Sequence, residues 1–204
     1  RWCAAGTRPR AVLILVRQRG PAFEAVIRAL KREGIAVAGA DRLMLTEHIA
    51  VMDLIVLGDA LLLPDDDLAL ATVLKSPLFN FDEDQLFRLA YERNGPIRSM
   101  LRNQSADDPM FAMADRALGE LTRAARDMTP FAFYAHVLGP LRGRQRILSR
   151  LGLVANDPLD EFLNLALDYE RRETPSLQGF LHWIRVAQSE DKRDMEMDRD
   201  EVRV

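Results

Sequence analysis

Arg17 is the side chain whose position in this sequence bears most directly on chemistry. It follows the run AVLILV at residues 11–16. That run is continuous, apolar and of strand length, and open α/β sheets place functional groups at the carboxyl ends of such strands. A planar, permanently charged guanidinium held there can reach a phosphate across an interface; the plainer reading is a surface arginine. The other reactive side chains are scattered. His48, His136 and His182 stand alone, without the spacing of a helical metal pair, which favours structural or surface roles. Asp65, Asp66 and Asp67 point in different directions at a helix start, where carboxylates satisfy orphan N–H groups. Asp160 and Glu161 fall in a first helical turn and take the same reading. Cys3 has no partner histidine nearby, which disfavours a nucleophilic role. Neither GxxxxGK[ST] nor GxGxxG occurs, so this chain by itself has no loop to cradle a nucleotide's phosphates.

Arg17 requires a rigid strand beneath it, and the first forty residues read as one. After 11–16, residues 18–20 make a turn and Pro21 suits the first position of a helix. Phe23, Val26, Ile27 and Leu30 then fall at i, i+3, i+4 and i+7, and Gly34 supplies the stop. GIAVAGA follows as a second apolar run, with a strand expected at 35–38. Strand, helix and strand over so short a span predict a parallel βαβ unit.

From Thr46 onward the period is helical. Thr46 is expected to cap a helix ended by Pro64. The three aspartates precede a short helix stopped at Ser76-Pro77, and Asp82 with Gln85 resembles a capping box for a helix to about Arg93. Pro109 opens a longer helix striped by Met110, Ala114, Ala117, Leu118, Leu121 and Ala125. Thr129-Pro130 starts the next, and Ile147, Leu148 and Leu151 mark another closed by Gly152. Asp157-Pro158 caps a helix burying Phe162, Leu163, Ala166 and Tyr169. Ser176 caps the last, with Phe180, Leu181, Ile184 and Ala187. Residues 188–201 are densely charged, and EVRV reads as an edge strand or a disordered tail at 202–204. The expected fold class is thus α/β but predominantly α-helical, a small parallel βαβ unit carrying a large all-helical insertion. The expected divisions are 1–63, 64–187 and 188–204.

Composition limits the function classes. The 204 residues hold 28 Lys and Arg against 31 Asp and Glu, 48% hydrophobic residues and one cysteine. That balance excludes collagen-like, disulfide-scaffold and intrinsically disordered chains, and it is not the basic body of a dedicated nucleic-acid binder. Three local basic runs remain, RLAYER at 88–93, RGRQR at 142–146 and ERR at 170–172, whose plain reading is solvated helix face. A lone cysteine favours a reducing, cytoplasmic setting. No apolar run reaches the ~18 residues of a membrane span, and no signal peptide is visible. The chain starts without Met and stops at DEVRV, which looks like a piece of something longer.

The segment AVLILVRQRGPAFEAVIRALKREGIAVAGADRL resembles the fourth conserved motif and its surroundings in UvrD/Rep-like superfamily 1 DNA helicases. LTEHIAVMDLIVLGDALLLPDDDLALATVLKSPLF, NDPLDEFLNLALDYE, PSLQGFLHWI and KRDMEMDRDEVRV look like the A subunits of AddAB-type helicase–nucleases that repair double-strand breaks. The resemblance covers nearly the whole chain and is least diagnostic at 95–130. It implies the start of the second RecA-like motor domain at 1 to about 60, with the helical block inserted into it. It also implies a parent that unwinds and resects DNA ends using ATP and Mg2+. Arg17 matches the family arginine that reaches the γ-phosphate of ATP held on the other motor domain. The implied partners are DNA at a duplex/single-strand junction and a second helicase–nuclease subunit, with no membrane. The Walker elements, the last arginine-bearing motif and the nuclease domain are not in this sequence, so the chain alone is expected to be inactive and to hold no cofactor. The competing reading is an autonomous helical protein-interaction module without catalysis.

Overall fold

The computed structural model describes residues 14, 25–26, 29–30, 32–35 and 45–194, with side chains as far as 186. It divides into two compact units, one formed by Glu47–Ile184 and the other by Arg1–Thr46 with Arg185–Val204.

In the unit containing the N-terminal segment, residues 25–26, 29–30 and 32 are helical. Gly34 ends this helix with φ +69°, and Ile35 N–H donates to the Leu30 carbonyl at 2.9 Å. That is the 6→1 bond of a Schellman stop, which needs the left-handed conformation glycine supplies. The expected α/β class, however, is not what is found. Among the described residues there is no strand, and Ile14 and Ile35, the described members of the two expected strands, are not in one. The fold is predominantly α-helical, and the parallel βαβ unit is withdrawn. The misreading has a physical origin: a short apolar run has no period that separates strand from buried coil or helix. A parallel pair also gains its stability only from further strands. The rest of 11–16 and 36–38, and the tail 202–204, lie outside the described residues.

The Glu47–Ile184 unit is a packed set of short helices. We number them α1 (Ile49–Leu62), α2 (Asp67–Lys75), α3 (Glu83–Ala90), α4 (Ile97–Asn103), α5 (Pro109–Asp127), α6 (Pro130–Leu138), α7 (Gly143–Leu151) and α8 (Asn156–Arg172). α9 (Leu177–Asp194) begins in this unit. Most starts follow from local capping. The Asp66 side chain accepts from Ala69 N–H, and Asp82 with Gln85 forms the full reciprocal capping box. Thr129 accepts from Ala132 N–H, and Ser176 Oγ accepts from Gly179 N–H. Two caps differ from expectation. Thr46 lies inside a helical stretch at 45–47, and His48, in extended conformation, caps α1 by accepting from Ala50 N–H. Residues 153–155 form a 3-10 turn that runs directly into α8, so Asp157 sits in the first turn instead of capping it. α4, with seven residues, is too short for its period to be read from sequence.

α1 and α2 form a hairpin, and α6, α8 and α9 close over α1. Tyr134 on α6 is the hub of this core. It is fully buried, and its hydroxyl donates to the Leu54 carbonyl of α1 at 3.2 Å. Its ring meets Phe162 of α8 edge-on at 4.8 Å and Phe180 of α9 at 6.0 Å, and Phe162 meets Phe180 at 5.6 Å. Each buried aromatic of this kind contributes about 1.5–3 kcal/mol by transfer from water, and edge-to-face geometry adds a smaller electrostatic gain. Gly58, one turn after Leu54, makes room for the hydroxyl. A Cβ there would stand 2.7 Å from Tyr134 Oη and 2.8 Å from Leu181 Cδ1.

Candidate functional site

The three basic runs were the places where a nucleic-acid interface could lie, and the structure assigns most of their charge to internal work. α7 starts at Gly143, where a Cβ would meet the Val137 carbonyl at 2.6 Å. This close approach seats α7 against the end of α6. From there Arg146 Nη1 donates to the Leu78 carbonyl at 2.5 Å, and Arg150 Nη1 donates to the Lys75 carbonyl at 3.0 Å. Two arginines one turn apart thus cover the C-terminal end of α2 and the loop beyond it, where carbonyls lack helix partners and the dipole favours cations. Arg144 bonds Asn156 Oδ1 and Asp160 Oδ1, each at 2.6 Å, and ties α7 to the start of α8. Asp160 is therefore an ion-pair partner as well as a first-turn carboxylate. Arg142 is exposed, in the left-handed region at φ +57°, and makes no ion pair among the described residues.

The RLAYER run behaves similarly. Arg88 pairs with Asp108 at 2.8 Å, and its guanidinium lies 4.8 Å from the centre of the Phe111 ring. Asp108 also caps α5 through Met110 N–H at 2.9 Å. That bond, and then the arginine, hold its carboxyl below the usual range. Arg93 pairs with Asp67, whose other oxygen accepts from Ile97 N–H at 2.7 Å. One carboxylate thereby joins the start of α2 to the start of α4, a role beyond the capping expected of the aspartate run. In the third run Arg171 pairs loosely with Asp168 at 3.4 Å, and Glu170 accepts from Phe131 N–H at 2.6 Å.

The histidines and carboxylates form no catalytic constellation among the described residues. His48 Nδ1 accepts from Ala50 N–H at 3.2 Å, which places the ring at the start of α1 as its cap. His136 is half-buried in the last turn of α6, and His182 is exposed on α9. Among the described residues no group of His, Cys, Asp and Glu could hold a metal ion. Asp53 on α1 is shifted the other way from Asp108: burial pushes its carboxyl up to about 6, against the pull of Arg150. Arg17 and Cys3 lie outside the described residues.

Sequence reading passed over the arginines left free. Arg116, Arg123 and Arg126 on α5 are exposed and make no ion pair among the described residues. Their signal was a seven-residue spacing between Arg116 and Arg123, masked by Glu120 and Asp127 on the same side. Charge is also unevenly distributed. Residues 47–184 carry 14 Lys and Arg against 21 Asp and Glu, whereas residues 1–46 carry 9 against 3. No helix among the described residues is long and apolar enough to cross a membrane. No family model matches the chain, and no curated protein matches it significantly.

Proposed function

We propose that this chain is part of an ATP-dependent DNA helicase–nuclease subunit of the AddA type, in which Glu47–Ile184 is a non-catalytic helical element. One observation carries the reading. Three of the five blocks that resemble the family fall on α1–α2, on α8 and on the start of α9, and the other two lie largely outside the described residues. Of these helices, α1, α8 and α9 converge on Tyr134 through Leu54, Phe162 and Phe180. A resemblance that includes mutually packed segments is consistent with a shared fold, since core positions constrain one another. In this reading Arg17 belongs to the ATP site of the parent, where a guanidinium stabilises charge developing on the transferred phosphoryl. DNA contact falls to the free arginines Arg116, Arg123, Arg126 and Arg142.

The acidic excess of residues 47–184 favours a second reading for that unit, a protein-interaction module without catalysis, because such a surface repels a phosphate backbone. DNA-stimulated ATPase separates the two. The sequence is read onward from residue 204 in its gene and the whole open reading frame is expressed. ATPase stimulated by DNA ends, together with a Thr-x-His…Lys-Gly-Leu-Glu continuation, supports the helicase. A stop codon directly after residue 204, or a product without ATPase, refutes it. The present chain alone is expected to hydrolyse no ATP.

A further inference from the structure

Phe87 and Tyr91 form a stacked pair on the outside of the helical unit, with ring centroids 4.8 Å apart and 24° between planes. They are 59% and 57% exposed. Single exposed apolar residues are ordinary, but two adjacent large aromatics held in contact form the kind of anchor that dominates protein interfaces. Their orientation is set from behind. Leu89 is fully buried, and Arg88 is clamped between Asp108 and the Phe111 ring. α3 therefore cannot rotate to bury the pair without breaking those contacts.

The charge around the pair selects its partner. Asp84 precedes Phe87 by three residues and Tyr91 by seven, which places it on the same helical face. Glu92 follows Tyr91 directly. Both carboxylates are exposed, and neither is engaged in an ion pair among the described residues. The Asp67–Arg93 pair ties the residues just after Tyr91 to the start of α2. Exposed aromatics in a chain that resembles a helicase would first suggest stacking on bases, but a phosphate backbone following those bases would meet carboxylates. A cationic side chain meets the opposite situation: ring faces attract it, and free carboxylates pair with it.

We propose that the Phe87–Tyr91 face docks a basic, apolar-anchored segment of a partner protein, with Lys or Arg over the rings and against Asp84 and Glu92. The proposal goes beyond the helicase reading and does not depend on it, since ATPase in the parent and docking on α3 fail separately.

The test measures fluorescence anisotropy of a labelled amphipathic peptide of Arg, Lys and Leu, and separately of labelled oligo(dT), against the whole chain. The peptide is expected to bind more weakly as salt rises, and Phe87→Ala with Tyr91→Ala to weaken it at least tenfold. Asp84→Asn with Glu92→Gln, surface changes that keep the rings, is expected to weaken it severalfold and flatten the salt dependence. Leu153→Ser, at an exposed apolar residue on another element, is expected to leave it unchanged. Absence of peptide binding, affinity unchanged in both double variants, or oligo(dT) binding that requires Phe87 and Tyr91 would each overturn the proposal.

Discussion

Gly58→Ala tests the packing on which the helical unit depends. The added methyl would stand 2.7 Å from Tyr134 Oη and 2.8 Å from Leu181 Cδ1, both well inside van der Waals contact. Overpacking of this kind costs about 1–3 kcal/mol. Alanine gains about 1 kcal/mol over glycine in a helix interior. The net expectation is a loss of roughly 0–2 kcal/mol, or up to several degrees in Tm at about 2–4 °C per kcal/mol for a chain of this size. Tyr134→Phe removes the hydroxyl bonded to the Leu54 carbonyl, at a cost of about 0.5–1.5 kcal/mol. The double variant is the decisive one. With the hydroxyl gone, the nearest groups opposing the new Cβ are the Leu181 methyls, at the end of a side chain that can rotate. The double variant should therefore be more stable than the sum of the single effects by about 1 kcal/mol or more. Urea unfolding followed by circular dichroism at about 222 nm gives all four corners of the cycle. Additivity within about 0.3 kcal/mol, or a Gly58→Ala variant stabilised by the full propensity gain, would refute the account.

Further expectations follow from the same structure and proposals. Asp67→Ala removes both the Ile97 N–H acceptor and the Arg93 partner and should cost about 1–2 kcal/mol in urea unfolding, whereas Asp65→Ala should be near neutral. Asp53, raised to about 6 in the folded state, binds a proton more tightly folded than unfolded, so its contribution to stability is lost as pH rises from about 4 through 6. Asp53→Asn should flatten the pH–stability profile in that window and raise stability above it; an unchanged profile refutes the shift. In the full-length parent, Arg17→Ala should leave nucleotide binding intact and lower ATPase towards the smaller end of the roughly 10³–10⁵ range of arginine fingers. Arg17→Lys should rescue little and Arg19→Ala should be tolerated; activity within about twofold of wild type makes Arg17 a surface residue. DNA binding by the present chain should be weak and fall with salt, and Arg116→Gln with Arg123→Gln should lessen its salt slope by about 2. Binding unchanged by salt would contradict a phosphate-based mode.

The sequence alone determined what is local. The Asp82–Gln85 box, Pro109 and Pro130 in first turns, the Gly34 and Gly152 stops and the apolar spacing of α5, α8 and α9 all act within a few residues of chain. Their outcome does not depend on what lies elsewhere. The absence of a phosphate loop is equally a property of the sequence. Tertiary structure decided whatever depends on a distant partner. Whether Ile14 and Ile35 lie in strands depends on neighbours with which to pair, which an apolar run does not encode. Whether an arginine faces solvent or caps a carbonyl depends on what is packed against it: Arg146 reaches the loop after α2 across 68 residues and Arg150 the end of α2 across 75. Charge in sequence therefore overstated the basic surface, because the low-dielectric seams between helices draw guanidinium groups onto unpaired carbonyls and carboxylates. By the same logic the exposed Phe87–Tyr91 pair was not legible, with Tyr91 inside a basic run and Phe87 just before it, since only the burial of Leu89 and the clamp on Arg88 decide which face of α3 turns outward.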